Sequence, residues 1–192
     1  MKRIDPTKIT PATLWTDAKH FRIATEVLVD VAATAAAAGG RDNETRVRQL
    51  LHPTWQLICT SIELGFKAYL NHRGFAVERL KDEFRHDLAK LQQAALTEAR
   101  DSALLAQIVN AVEQAVDLLN DPYMDKRFIY RKIGWERYPK EQARVCGWIK
   151  AYLAEIKLLM DLPVQGDGPE AEGIQPLSPP TGTVTRAASA VA

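Results

Sequence analysis

The chain has 192 residues, 46% of them hydrophobic and 26% charged, which suits a globular domain with its own core and excludes a fibrous or fully disordered protein. Twenty-five Lys and Arg against 24 Asp and Glu give a formal net charge of +1. That excludes a uniformly basic nucleic-acid coat and an acidic solvating chain, and leaves only local patches. Two cysteines, Cys59 and Cys146, are too few for a disulfide framework or a cysteine zinc site. They fit a reducing compartment, so a cytoplasmic location is expected.

The basic start, MKRIDPTKITPATLW, is not followed by the apolar run of a secretory signal. A first helix is expected over residues 13–38, where Leu14, Ala18, Phe21, Leu28 and Val31 recur at helical spacing and Gly39-Gly40 stops the run. Its most apolar part, residues 23–38, carries Glu26 and Asp30 and falls short of the roughly 20 apolar residues of a bilayer span. It reads as a buried helix, and no membrane association is expected. A second helical region covers residues 43–73, with Pro53 either kinking it or opening a fresh helix. Beyond Pro53, Trp55, Ile58, Cys59, Ile62, Phe66 and Tyr69 form one apolar stripe, which Gly74 ends.

Residues 75–85 read as a connector with room for one short helical turn. A third helix begins near His86-Asp87, where Asp87 suits the positive end of the helix dipole and Leu88, Leu91 and Ala95 face inward. Asp101 or Ser102 caps a fourth helix whose inner face runs from Leu105 to Leu119 and which ends near Asn120-Asp121-Pro122. Residues 122–139 form a long aromatic and basic connector, and a last helix runs from about 139 to 160. From Leu162 on, Pro, Gly, Ser, Thr and Ala dominate with no apolar periodicity, the signature of a disordered tail. The expected architecture is all-α: an antiparallel bundle of four to five helices over residues 10–161, then a disordered tail over residues 162–192.

Chemistry motifs are sparse. There is no phosphate-binding glycine loop, no HExxH, no CxxC and no GxSxG, and the four histidines show no metal-ligand spacing. No metal and no cofactor are expected. One constellation is more informative: IELGFKAYL over residues 62–70, then Gly74, then HDLAKL from His86, then Arg137-Tyr138-Pro139 before the last helix. In that order and spacing it resembles the HEPN family of small all-helical proteins, over about residues 43–161. The resemblance implies a helical bundle, often homodimeric, linked to RNA or nucleotides. Some HEPN proteins are metal-independent ribonucleases of toxin–antitoxin or defence systems, and others are non-catalytic binding modules.

The ribonuclease members carry Arg and His with four to six residues between them, a pattern matched here by Arg79 with His86, six between, and by Arg46 with His52, five between. No histidine follows His86, so the pattern falls on the HDL loop rather than near the last helices. In a catalytic reading His86 moves the proton of a 2′-hydroxyl and Arg79 holds the phosphate. In a structural reading Glu63, Lys67, His86 and Asp87 form a polar clasp, with Glu63 bound to the His86 ring or to the free amides of the third helix.

The connector offers a second candidate surface. Residues 126–150 hold eight basic side chains, among them Arg127, Arg131 and Arg137, against two acidic ones. Tyr123, Phe128, Tyr130, Trp135 and Tyr138 interleave with them. Cations for phosphates and aromatic faces for bases are what single-stranded RNA or a nucleotide requires; the alternative is aromatics packed inward beneath solvated charges. The tail is acidic, and folding back over this patch is a further expectation. The expected function is a non-catalytic RNA- or nucleotide-interaction role in stress or defence, as a homodimer. The alternatives are an endoribonuclease using Arg79 and His86, with an antitoxin-like partner, and a purely structural protein-interaction module.

Overall fold

The computed structural model describes residues 9–99, 103–110, 112–126, 128 and 142–161. Arg127, Arg131, Arg137 and Tyr138 of the basic connector and the tail over 162–192 lie outside the described residues. Within them the chain is all-α, with no strand. Seven helical segments follow one another: α1 (Pro11–Ala38), α2 (Arg41–His72), α3 (Val77–Asp82), α4 (Leu88–Glu98), α5 (Ala103–Asn110), α6 (Glu113–Met124) and α7 (Gln142–Asp161).

Thr10 caps α1 with a reciprocal capping box to Thr13, and Pro11 sits in the first turn, where its missing N–H costs nothing. Gly39 and Gly40 both take positive φ, 64° and 84°, and turn the chain straight into α2. The result is an antiparallel hairpin. Ser61 Oγ donates to the Ala18 carbonyl at 2.8 Å, a pairing nearly equidistant from the two glycines. α2 has 32 residues, about 48 Å at 1.5 Å per residue. Pro53 neither ends it nor restarts it: α2 is continuous, and Pro53 lies inside it. The proline leaves the Gln49 carbonyl without its helical donor. One residue on, the Thr54 hydroxyl donates to the Leu50 carbonyl at 2.6 Å.

Every buried residue of α2 lies from Thr54 onward. There Trp55, Ile58, Ile62, Phe66 and Leu70 are fully excluded from solvent and join Leu88, Leu91, Leu119, Ile149 and Tyr152 in one cluster. Each such side chain contributes roughly 1.5–3 kcal/mol of burial. α7 lies tight against α2 at Gly65, where a Cβ would meet Tyr152 Cε1 at 2.7 Å and Leu153 Cδ2 at 2.9 Å. The Tyr152 ring packs edge-on against Phe66 with centroids 5.2 Å apart. Trp15 Nε1 donates to the Leu153 carbonyl at 2.9 Å and fastens the base of α1 to α7.

The expected fourth helix is two segments. α5 and α6 are separated at residues 111–112, and Gln92 of α4 donates to the Val109 carbonyl near the end of α5 at 3.1 Å. α6 then passes through Pro122 and ends at Met124, four residues beyond Asn120. With α5 and α6 counted together and the short α3 left in a connector, the described residues form a bundle of five helices. Among the described residues, no helix is long and apolar enough to cross a membrane.

Candidate functional site

α2 supplies the centre of the site. Glu63 lies one position from the buried stripe, and only 5% of it is exposed. One turn later Lys67 Nζ donates to Glu63 Oε1 at 2.5 Å and to the Arg85 carbonyl at 2.7 Å. Arg85 holds a φ of +46°, a strained conformation for a side-chain-bearing residue, in the loop between α3 and α4. His86 follows, and its Nδ1–H donates to Glu63 Oε2 at 3.0 Å. The tyrosine of α6 completes the group: Tyr123 OH donates to the same Oε2 at 2.6 Å, and its ring meets the His86 ring edge-on at 5.6 Å.

Glu63 is therefore the acceptor for three side chains from three parts of the fold. A carboxylate removed from water needs such partners, and charge-assisted bonds of this kind are about twice as strong as neutral ones. Burial first, and then the negative charge of Glu63, push the Tyr123 hydroxyl well above the ordinary phenol value, so it remains a donor. Burial and the same carboxylate raise the Cys59 thiol, which holds it as an unreactive packing group. The His86 side chain is 58% exposed. With Nδ1 committed to Glu63, Nε2 is the nitrogen available for proton transfer.

Of the two partners expected for Glu63 in a clasp with Lys67, His86 and Asp87, the His86 ring is the one it meets, with Lys67 alongside, and Asp87 stands apart from them. The amides opening α4 do not bond Glu63. Asp87 is the N-cap and accepts from Lys90 N at 3.0 Å, while Asn120 of α6 accepts from Leu88 N at 2.8 Å and Ala89 N at 3.2 Å. Arg79 does not share the partners of His86. Its Nε donates to Glu83 at 2.9 Å, one turn along, and its guanidinium carbon lies 4.4 Å from the centre of the Phe75 ring. Arg46 lies near the start of α2 and is exposed.

Asn120 and Tyr123 are the site residues that sequence reasoning missed in this role. They stand three apart on α6 and hence on one face, which is invisible if the helix ends before Pro122. The available signal was an asparagine in line with the buried Val116 and Leu119 of an apolar stripe. Among the described residues no three His, Cys, Asp or Glu side chains converge as a metal site would require. In comparisons with known proteins, no family model, no curated protein and no solved structure matches this chain.

Proposed function

We propose that this chain is a HEPN-like helical module that binds RNA or a nucleotide without cleaving it, acting as a homodimer. The observation that carries the reading is the contact between His86 and Tyr123. It joins the HDL loop, with exposed Arg85 and His86, to the end of α6, where Lys126 opens the basic and aromatic stretch. Arg127, Arg131, Arg137 and Tyr138 follow in sequence and supply the cations and stacking surface that a single strand needs. The test is filter binding of a single-stranded RNA at several salt concentrations. Affinity is expected to fall as salt rises, and Arg131→Ala with Arg137→Ala to lower the salt slope by about 0.7 per lost phosphate contact. Salt-independent binding, or none, would refute the reading.

A second reading rests on the Glu63–His86 pair. A buried carboxylate that fixes Nδ1 and leaves Nε2 in solvent is the arrangement of an oriented general base, as metal-independent cleavage at a 2′-hydroxyl requires. RNA cleavage in EDTA by wild type that His86→Ala abolishes would establish it. Arg79, bound to Glu83 and Phe75, has no part in that pair as it stands.

A further inference from the structure

The short loop between α3 and α4 is pinned at several points. Arg85 keeps a φ of +46°, and its carbonyl accepts from Lys67 Nζ at 2.7 Å. On either side, Asp87 N donates to the Phe84 carbonyl at 2.9 Å and Lys90 Nζ to the Glu83 carbonyl at 3.0 Å. A backbone conformation that costs energy persists only where its surroundings fix it, and such residues gather at working sites. What this loop presents is His86. Its Nδ1 is tied to Glu63 at 3.0 Å, its ring meets Tyr123 edge-on, and over half of its side chain is exposed. Nε2 takes no hydrogen bond among the described residues.

A neutral imidazole with its proton on Nδ1 has its lone pair on Nε2, on the side of the ring away from Glu63. When that lone pair attacks an electrophile the ring becomes cationic. A carboxylate already bonded to Nδ1–H stabilises this charge as it forms. Glu63 is buried, so little water screens the interaction. Lys67 occupies its other oxygen, and Oε2 is left to His86 and Tyr123. Arg85 is exposed, and its guanidinium forms no ion pair among the described residues. Next to His86 in the chain, it is the cation that an anionic group on Nε2 would need.

We propose that His86 Nε2 is a phosphoryl-accepting site, modified by a phosphoramidate, a donor that carries its phosphoryl group on nitrogen. The Nε2 lone pair attacks phosphorus, and an Nε2–P bond forms. The P–N bond of the donor breaks, and its electron pair stays on the protonated donor nitrogen, which leaves as the neutral amine. The ring keeps its Nδ1 proton, bonded to Glu63, and Arg85 meets the phosphoryl oxygens. Phosphorus exchanges one nitrogen for another, so the balance closes with no third reactant. Glu63 touches neither donor nor phosphorus and is a positioning residue. Phosphorylation of His86 goes beyond RNA binding and does not depend on it. It shares Nε2 with the general-base reading, and the two separate by product: a phosphorylated protein here, cleaved RNA there.

The test is incubation of the full chain with potassium phosphoramidate. Peptide mass spectrometry locates the added phosphoryl group, and phosphorus NMR separates the Nδ1 and Nε2 isomers of phosphohistidine. His20 is the internal reference, an exposed histidine of α1 with no carboxylate bond among the described residues. His86 is expected to be modified at Nε2 about tenfold faster than His20, the scale of one hydrogen bond to a charged group. Glu63→Gln keeps an acceptor for Nδ1–H without the charge, and is expected to erase that advantage while leaving the His20 rate unchanged. Unfolding the wild type in urea is expected to erase it too, because the pair exists only in the fold, and this arm needs no variant that folds. Modification of His86 no faster than His20, modification at Nδ1, or an advantage that survives Glu63→Gln or urea overturns the proposal.

Discussion

The two halves of α2 share one helix and little else. Before Pro53 none of its residues is buried; from Thr54 on, most of those facing the bundle are. α1 is mixed: the small Ala18, Thr25 and Ala35 are buried along its length, whereas the larger Ile23 and Val27 are 40% and 56% exposed. The hairpin thus has a base clamped by α4, α6 and α7 and an arm in which α2 buries no residue and α1 buries only small ones. Helix formation is therefore not evidence of stability, because a helix can persist on local bonds while its packing energy is concentrated in a few turns. The polar clasp stands at the base, where α2, α6 and the loop before α4 hold its side chains in place.

The comparison breaks first at Glu63. Glu63→Ala leaves Lys67 and Tyr123 in a buried site without their acceptor and is expected to cost about 3–5 kcal/mol, read as a lower urea midpoint. A loss under about 1 kcal/mol would show that the clasp is not a structural joint. In the opposite direction, Pro53→Ala restores the missing helical donor at an exposed position. It is expected to stabilise by up to about 3 kcal/mol, with slower amide exchange confined to residues 41–53. Slower exchange in α4 or α6 instead would mean that arm and base melt together.

Two glycines sharpen the contrast within the base. Gly65→Ala places a methyl group within 2.7 Å of Tyr152 and is expected to destabilise by about 1–3 kcal/mol. Gly147→Ala, in α7 with nothing within 4 Å of the added carbon, is expected to stabilise by about 1 kcal/mol. Equal effects from thermal melts of the two variants would contradict the close α2–α7 approach.

The smallest expected effect is alkaline and belongs to the base alone. Tyr123 and Tyr152 have their hydroxyls pushed up, chiefly by burial. For an acid whose folded value is raised, the folded state keeps a proton that the unfolded state releases. Stability is then fully present below the ordinary phenol value, about 10, and is lost as pH rises above it. Urea midpoints should fall above pH ~10, and Tyr152→Phe, whose hydroxyl has no partner among the described residues, should lessen the fall. A flat profile there would show that these phenols titrate freely.

Much of the fold is legible along the chain because helical periodicity and glycine stops are local signals. The first helix, the inner stripe from Trp55 to Leu70 and the start of α4 at Asp87 all follow from spacing and capping. So does the pairing of Glu63 with Lys67, one turn apart. Prolines are ambiguous signals, Pro53 allowing a kink or a fresh helix and Pro122 reading as a stop, because their cost is local while the packing that offsets it is not. Pro53 and Pro122 both lie inside continuous helices. Passing Pro122 sets Asn120 and Tyr123 on one face of α6, where they reach Leu88 N and Glu63 across 32 and 60 residues of sequence.

What the sequence by itself determined is the all-α class, most of the helices and the residue types available for chemistry, since each depends on neighbours within a few turns. Only the tertiary structure decided their partnerships. Glu63 serves His86 and Tyr123 rather than the amides of α4, which go to Asp87 and Asn120. Arg79 serves Phe75 and Glu83 rather than His86. The reason is physical: a buried polar group takes the partner that packing brings within about 3 Å, and that distance is a property of helices meeting in space, not of residues adjacent in the chain.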